Sequence, residues 1–411
     1  MQQRTTLPRY AELALAQTAA ALRVAVITGA RQSGKSTLVR SSRALTGYHY
    51  LTLDNLDTRQ RASAAPQALL TQSDRMIIDE IQRAPDLLLL IKELVDQDPP
   101  AVTGRFVLTG SADLLSLKHV GETLAGRAGY VTLWPMTQGE VRGTGQAGCW
   151  SDLLDAPVAE WRSLLMDRAA DRENWREIAK RGGYPTPALH LRGHGDRARW
   201  FQGYIDTYLH RDVPEVLAVS NPLDLHRLIQ RVVLDIGQLE HQARWATELG
   251  LQRATVSRWL DLLEVSYQLV RVPAWAVNRR KQLVKARKIY WADTGLALAI
   301  AGLTDPTGAH LENLILNDLM VWRGALAPRP GIFHWRTRDG YEVDFVLERP
   351  GGGLLPVEVK AARSVSLSDT RGLNQFLVDY TEARAGMILY DGTETIWLTD
   401  TVLAAPWWRV I

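Results

Sequence analysis

The segment from Gly29 to Ser36 has the residue types and the spacing of a loop that binds phosphate. Glycines at its first and sixth positions remove the Cβ atoms that would collide where a backbone wraps an anion. Lys35 can then reach the β and γ phosphates, and the hydroxyl of Ser36 can bind Mg²⁺. The pattern predicts a nucleoside triphosphate site. Its expected nucleotide contacts are Gly29, Ala30, Arg31, Gln32, Ser33, Gly34, Lys35, Ser36 and Thr37.

Two carboxylates follow a short apolar run at Met76 to Ile78 and could form the far wall of that site. Asp79 would complete the Mg²⁺ shell, and Glu80 would polarise the attacking water as a general base. Another strand-like run ends at Thr109, followed by Gly110 and Ser111. Either hydroxyl could sense the γ phosphate, although a simple turn at the end of a strand explains the same residues.

Strand-like runs alternate with helical stretches in the first 135 residues, which is typical of a parallel sheet with crossover helices. We therefore predict an α/β fold that begins with a P-loop domain over residues 1–135. Residues 136–220 lose the strand pattern and favour a helical lid, interrupted by a turn at Gly182 to Pro185. The predicted strands are 24–28, 48–53, 76–79, 105–109 and 130–133.

Residues 221–285 form the next predicted unit, and 243–265 has the rhythm of a helix-turn-helix with Gly250 in its turn. A winged-helix module and a plain helical hairpin both fit this pattern. In a winged-helix module, the outward face of the second helix would contact DNA. The side chains on that face are Arg253, Ser257 and Arg258, opposite the inward-facing Val256, Trp259, Leu260 and Leu263.

Basic residues without an intervening acidic residue occupy 271–288. Such a run could contact a phosphate backbone, but it could equally be a solvated face without a partner. The predicted DNA contacts from this run are Arg279, Arg280, Lys281 and Lys285, and its other basic residues are Arg271, Arg287 and Lys288.

Residues 286–411 contain a second group of residues that could perform chemistry. The alternating strands 341–347 and 354–360 predict a hairpin that brings Asp344 beside Glu358 and Lys360. A helical stretch upstream carries Glu312. Carboxylates within about 4 Å repel by roughly 4 kcal/mol per pair at an effective dielectric of 20, so the cluster needs protons or a cation. Mg²⁺ held by Asp344 and Glu358 near Glu312, with Lys360 steadying the nucleophile or the developing charge, would make a metal-dependent nuclease. The alternative is a surface hairpin on which Glu358 and Lys360 form an exposed ion pair.

Composition narrows the class of protein. The chain has 411 residues, 46% of them hydrophobic and 23% charged, with a net charge of +3. No apolar stretch approaches a membrane span, so no membrane partner is expected. Its one cysteine, Cys149, excludes an intrachain disulfide, and the first fifteen residues lack a secretion-signal pattern. These features predict a cytoplasmic protein.

The N-terminal part resembles AAA-type ATPases, and the chain from Arg4 to about Leu377 resembles a widespread bacterial and archaeal family. Its members join such an ATPase to a C-terminal domain of unknown function in the PD-(D/E)XK nuclease class. Val343 stands where the signature of that class has proline. The segments that carry the resemblance are 28–37, 78–83, 108–111, 124–127, 208–213, 293–296, 311–313 and 343–344.

The resemblance implies ATP and Mg²⁺ as cofactors, Lys35, Ser36, Asp79 and Glu80 as the nucleotide motifs, and Glu312, Asp344, Glu358 and Lys360 as the nuclease motif. It also implies a homo-oligomer, with a hexameric ring as one form, in which a neighbour supplies an arginine to the γ phosphate. Arg127 is the first candidate and Arg211 the second.

Two functions are compatible with the sequence. The first is an ATP-hydrolysing protein that acts on DNA, with branched DNA as one expected substrate because archaeal resolvases share this nuclease class. The second is a nucleotide-gated regulatory protein whose nuclease-like domain binds a partner without cleaving it.

Overall fold

The computed structural model describes residues 6–110, 124–168, 172–212, 219, 221–278, 282 and 285–411. The predicted parallel sheet is present in the N-terminal domain, with strands β1 (Val24–Thr28), β2 (His49–Thr52), β3 (Met76–Asp79), β4 (Phe106–Thr109) and β5 (Ala128–Thr132). The strand order in this sheet is β2-β3-β4-β1-β5. Its helices are α1 (Ala11–Ala21), α2 (Lys35–Ser41), α3 (Leu56–Ala64), α4 (Pro66–Leu70) and α5 (Leu87–Gln97).

Helices cover both faces of this sheet, which explains why β1, β3 and β4 are buried along their whole length. One face packs around Val26, Ile78 and Leu108, and the other packs around Ala25, Ile77 and Val107. Because all strands run in parallel, their carboxyl ends share one edge, where the phosphate loop and both predicted carboxylates lie.

The described residues of the predicted lid form helices joined by turns and loops, without a strand. The polypeptide turns sharply at Gly182, where φ is +68°, and two of the later segments are π-helical. Its helices are α6 (Gln138–Val141), α7 (Trp150–Asp155), α8 (Trp161–Asp167), α9 (Trp175–Arg181) and α10 (His194–Tyr204), and its π-helical segments are Thr186–His190 and Ile205–Asp212.

A helix–hairpin module follows, made of helices α11 (Pro222–Val233), α12 (Gln242–Leu249) and α13 (Arg253–Val265) and strands β6 (Leu269–Val272) and β7 (Lys288–Trp291). The two strands pair antiparallel, and Leu239 forms a further bridge to Lys288. This pairing joins β7 to β6 across the predicted boundary at 285. Gly250 ends α12 in the left-handed conformation, as its position predicts.

The elements of the C-terminal domain are α14 (Thr294–Ala301), α15 (Gly308–Gly324), β8 (Gly331–Arg336), β9 (Glu342–Glu348), β10 (Leu354–Lys360), α16 (Arg371–Asp379), β11 (Gly386–Tyr390), β12 (Ile396–Thr399), β13 (Val402–Pro406) and α17 (Trp407–Val410). Its strands form a mixed sheet of order β12-β13-β11-β10-β9-β8, with α15 packed against β10. The predicted hairpin is present as β9 and β10, which pair antiparallel.

A single apolar core runs through the lid, the helix–hairpin module and the C-terminal domain. Trp150 of the lid, Trp245 of the module and Trp407 near the C-terminus all belong to it, and each is fully buried. Hydrogen bonds also connect the lid to the C-terminal domain. The carboxylate of Asp318 on α15 accepts from the backbone amide of Gly148 at 2.8 Å and from the indole N–H of Trp150 at 2.6 Å.

Helices of the described ranges are too short or too polar to cross a bilayer.

Candidate functional site

The phosphate loop leaves β1 at Gly29 and enters α2 at Lys35, as the sequence pattern predicts. Gly29 has φ +142°, and a Cβ there would collide with the carbonyl oxygen of Leu133. Gly34 has φ +99°, and Gln32 also adopts a positive φ of +62°. The backbone therefore follows a path that only glycine tolerates at its two ends, and Gly29 and Gly34 cannot be replaced without moving the loop.

Lys35 is almost fully buried, and its ammonium donates to the carbonyl oxygens of Gly29 at 3.1 Å and Ala30 at 2.9 Å. The ammonium thus lies inside the curve of the loop, where a phosphate would be held. Ala30 and Ser33 are also buried, whereas Arg31, Gln32 and Thr37 are exposed.

Asp79 lies across from the loop and collects three hydroxyl groups. Its Oδ1 accepts from Ser36 at 3.0 Å and from Thr109, and its Oδ2 accepts from Tyr50 at 2.7 Å. Burial, and then the hydrogen bond to Asp79, raise the pKa of Tyr50, so this phenol stays a donor. Ser36 and Asp79 therefore converge from two different strand ends, which is the donor set that fits Mg²⁺ beside a triphosphate.

Glu80 is half-buried and adopts a left-handed backbone conformation at φ +60°. Its amide donates to the hydroxyl of Thr109 at 3.1 Å, and its carboxylate accepts from the amide of Gln82. Thr109 thus holds both carboxylate-bearing residues in position. Ser111 lies outside the described residues.

A cavity of about 220 Å³ lies beside the loop and was not expected from the sequence. Arg9 fixes one of its walls by donating to the carbonyl oxygens of Ser33 at 2.9 Å and Trp134 at 2.7 Å. Its size and its position next to α2 suit the base of a nucleotide. Its lining includes Leu7, Gly34, Thr37, Met136, Pro185 and Leu189.

Arg127 lies at the amino end of β5, on the edge of the sheet opposite to the phosphate loop. It forms a bidentate pair with Asp96, at 2.5 and 2.8 Å, on the protein surface. Arg211 belongs to the π-helical segment, and its side chain lies outside the described part of the chain.

Asp293 links the lid turn to the C-terminal half. Its carboxylate is buried and accepts from the amides of Gly183 at 2.6 Å and Leu296 at 2.8 Å, so that it also caps α14. Gly183 in turn accepts from the amide of Met136, which follows β5. Burial raises the pKa of Asp293 to about 6, because four backbone amides only partly offset the loss of hydration.

Replacing Asp293 by Asn should change how stability depends on pH. A carboxyl whose folded pKa is raised stabilises the fold fully below its unfolded pKa, and this contribution is lost as pH rises through the folded value. Wild type should therefore lose roughly 2 kcal/mol from this group between about pH 4 and pH 6, whereas Asp293→Asn should not. Thermal melts of both proteins across this range measure the difference in slope.

Asn also loses one acceptor, but that cost is the same at every pH. The exposed Asp305 provides the control, since Asp305→Asn should keep the wild-type slope. Parallel pH profiles for wild type and Asp293→Asn would contradict the prediction.

The second predicted cluster is assembled at a cavity of about 660 Å³ in the C-terminal domain, lined by Glu312, Asp344, Glu358 and Lys360. Glu358 and Lys360 face the same way and form an ion pair at 2.7 Å. The second oxygen of Asp344 accepts from the amide of Val359 at 2.9 Å. One Glu358 oxygen, Oε2, is buried without a hydrogen-bond partner among the described residues.

Lys288, the last residue of the basic stretch 271–288, lies at the centre of this cluster. Lys288 of β7 is buried, and its Nζ lies 2.9 Å from Asp344, 3.0 Å from Glu312 and 2.6 Å from Glu342. Tyr290, two residues on, also donates to Glu312. The cation that the gathered carboxylates need is therefore supplied by the protein itself.

The pKa values of these groups follow from that arrangement. Burial alone would lower the pKa of Lys288, but the charges of Asp344 and its neighbours outweigh it and raise the pKa, so the ammonium stays charged. Burial would raise the pKa of Asp344, but Lys288 outweighs it and lowers the pKa. Burial and the charge of Asp344 raise the pKa values of Glu312 and Glu358 to about 8.

These residues do not fit a bound Mg²⁺. Glu312 and Asp344 already share an ammonium, and an ammonium about 3 Å from both oxygens repels a divalent ion at the same place. Within the described ranges, no group of three or more His, Cys, Asp or Glu side chains could hold a metal ion.

The predicted DNA contacts are only partly described. Arg253 and Arg258 are exposed on α13 and Ser257 is half-exposed, while Val256, Trp259, Leu260 and Leu263 are buried as predicted. Lys285 is exposed, whereas Arg279, Arg280 and Lys281 lie outside the described residues. Arg271 and Lys288 are buried in ion pairs, so the suggestion that they contact a phosphate backbone is wrong for these two.

Comparisons with known proteins match three parts of the chain. Residues 22–142 match the AAA domain family, 172–307 match a domain of unknown function (DUF8612) and 307–410 match another (DUF4143). An uncharacterized protein of Mycobacterium tuberculosis is 32% identical over 393 residues, covering 93% of this chain and 80% of that protein. An uncharacterized protein of Haemophilus influenzae is 23% identical over 408 residues, which cover 92% of this chain and 94% of that protein.

Among solved structures, a Walker-type ATPase of Pyrococcus abyssi has a TM-score of 0.42 at 16% identity, covering 71% of this chain and 94% of its own. A RuvB variant of Thermotoga maritima has a TM-score of 0.27 at 23% identity, and the match covers 64% of this chain and 86% of the RuvB chain. Both scores are too low to carry an argument. By sequence similarity along most of its length, the chain belongs to the family of the mycobacterial protein, and its P-loop domain is an AAA-type ATPase domain.

Proposed function

We propose that the protein hydrolyses ATP with Mg²⁺ and uses the energy to act on DNA. The convergence of Lys35, Ser36 and Asp79 at one sheet edge carries the first half of this proposal. Ser36 and Asp79 would hold Mg²⁺, which would neutralise charge on the transferred phosphoryl group. Lys35 would contact the β and γ phosphates, and Glu80 would orient the attacking water from its position next to Asp79.

The cavity beside α2 would hold the base of the nucleotide. Its walls come from the segment before α1, from α2 and from the lid residues Pro185 and Leu189. A base there would be in contact with both the P-loop domain and the lid, so nucleotide binding would fix the lid against the domain.

A homo-oligomer, such as a hexameric ring, would complete the site. Arg127 is separated from its own phosphate loop by the length of β5, because the loop follows the carboxyl end of the neighbouring β1. A strand of five residues spans roughly 16 Å, so Arg127 could reach a γ phosphate only in another subunit. Release from Asp96 would free its guanidinium for that contact.

The helix–hairpin module would be the DNA-binding part. Its order of helices, a bridge at Leu239 and an antiparallel strand pair is that of a winged helix, in which α13 would enter the major groove. Arg253 and Arg258 are on the exposed face of α13, and Lys285 is exposed just before β7. Arginine side chains at such positions can read guanine or hold phosphate.

The C-terminal domain would be nuclease-like. Its succession of α15, three antiparallel strands, α16 and the parallel β11 supports this, as do the carboxylates of β9 and β10 at one cavity.

DNA should stimulate ATP turnover by the wild-type protein, and Arg253→Ala with Arg258→Ala should raise the DNA concentration for half-maximal stimulation about tenfold. Turnover is measured with single-stranded, duplex and four-way-junction DNA. Arg227→Ala is the matched control, because Arg227 is an exposed arginine on α11 of the same module. A rate that no DNA architecture changes would refute the DNA-acting function while leaving the ATPase intact.

A second function, a nucleotide-gated regulatory protein, is favoured by one contact. The hydroxyl of Tyr267, two residues after α13, donates to Thr28 at 2.8 Å, and Thr28 immediately precedes the phosphate loop. Changes in that loop would thus be passed directly to the helix–hairpin module. ATP turnover without any response to DNA would favour this function.

A further inference from the structure

The central group of the C-terminal cavity is an ammonium. Lys288 Nζ lies within 3.0 Å of one oxygen each of Glu312, Asp344 and Glu342, and the Lys288 side chain is 3% exposed. These three carboxylates come from α15 and β9, whereas the lysine comes from β7 of the helix–hairpin module. The lysine therefore reaches across from a neighbouring unit into the cluster.

Its position is held by the backbone on both sides. β7 pairs with β6 from Leu269 to Val272, and Lys288 also bridges to Leu239. The backbone of Lys288 is therefore fixed by pairing on both sides, and its buried side chain lines the cavity. A long, mobile surface lysine would not be constrained in this way.

The oxygens that surround Lys288 are those a divalent cation would use. Mg²⁺ and Mn²⁺ in such a cluster need carboxylate oxygens at about 2.1 Å in near-octahedral geometry, with room for water. The Oε1 of Glu312 and the Oδ1 of Asp344 are both taken by the ammonium. A second cation there would be repelled strongly, since like charges about 3–4 Å apart in a partly buried site are poorly screened.

We propose that the Nζ of Lys288 is a built-in cation that takes the place of a divalent metal between Glu312 and Asp344, so that this cavity is assembled without Mg²⁺. The inference rests on the proposed nuclease-like class of the C-terminal domain. It implies that this cavity, with Lys288 in place, does not cleave a phosphodiester by metal catalysis.

Mn²⁺ binding to the full-length protein without nucleotide tests this directly. Wild type should show no Mn²⁺ site that depends on Asp344. Lys288→Met should gain one, with an affinity about a hundredfold or more above wild type, the order expected when a like charge about 4 Å away is removed. Lys288→Met combined with Asp344→Asn should lose the gained site. Electron paramagnetic resonance counts free Mn²⁺, and thermal melts with and without Mn²⁺ report stabilisation by binding.

Lys285→Met is the matched control, because this exposed lysine lies three residues away and should give the wild-type Mn²⁺ curve. If Lys288→Met does not fold, Lys288→Gln replaces it, since an amide removes the charge but keeps a donor to the carboxylates. Mn²⁺ should raise the melting temperature of either variant more than that of wild type, and Asp344→Asn should cancel this difference.

Two results would overturn the proposal. One is Mn²⁺ binding by wild type that Asp344→Asn abolishes, and the other is a folded Lys288 variant that gains no Mn²⁺ site. Neither measurement involves ATP or DNA. A protein that fails to hydrolyse ATP or to respond to DNA would refute the proposed function and leave the Mn²⁺ results unaffected.

Discussion

Lys35→Ala is expected to abolish ATP turnover, with kcat falling at least about a hundredfold. The ammonium of Lys35 is buried within the loop, and no other lysine or arginine side chain of that loop is buried in the same way among residues 29–36. Alanine removes the charge that would stabilise the β and γ phosphates during transfer. Steady-state ATP hydrolysis, with nucleotide affinity measured by calorimetry, provides the test.

Lys92→Ala is the control for this change. Lys92 lies on α5, is half-exposed and is distant from the loop, so its removal should leave turnover within experimental error of wild type. We expect Lys35→Ala to fold, because Gly29 and Gly34 set the path of the loop backbone. Thermal melts check that it does. Unchanged turnover in folded Lys35→Ala would contradict the assignment of the nucleotide site.

Lys288→Met should destabilise the protein by about 3–5 kcal/mol, the usual cost of removing one partner from a buried ion pair. Methionine fills a similar volume, so the loss comes from charge. Asp344, Glu312 and Glu342 would be left facing one another without the ammonium that holds them together. Chemical denaturation followed by tryptophan fluorescence measures the change, because the shared core contains many tryptophans.

The neighbouring variant Lys285→Met should change stability by less than about 0.5 kcal/mol, as is usual for an exposed side chain. A loss below about 1 kcal/mol in Lys288→Met would contradict this prediction, because it would mean that the cluster does not depend on the ammonium.

The order of apolar runs, turns and helical stretches along the sequence was sufficient to predict the parallel sheet of the N-terminal domain. Its strands are short and apolar and each is followed by a turn or helix, so the parallel sheet and its functional edge could be inferred from order alone. The phosphate loop and Asp79 were predictable because their chemistry requires fixed residue types next to strands. The buried face of α13 and the hairpin of β9 and β10 were predictable because their periods of 3.6 and 2 are local properties.

Contacts between distant segments were not predictable. Lys288 and Asp344 are 56 residues apart, and nothing near Lys288 distinguishes it from the exposed Lys285. Its basic neighbours even favoured a solvent-exposed role. Tyr50 is similar, because its contact with Asp79 depends on β2 lying beside β3 in the sheet. The cavity beside α2 needed the lid turn to be placed in three dimensions. The strands β11 to β13 have no motif that would draw attention to them.

The shared tryptophan-rich core limits how the protein can be divided for experiments. Cuts near 220 or 285, where the sequence changes character, would separate surfaces that now cover each other, such as Trp150 from Trp407. Truncated proteins ending there would present large aromatic side chains to water and tend to aggregate. The P-loop sheet has its own cores on both faces, yet Ala325, directly after α15, belongs to one of them. Activity measurements on this protein should therefore use the intact polypeptide with point substitutions, since a loss of activity in an isolated fragment would reflect its misfolding.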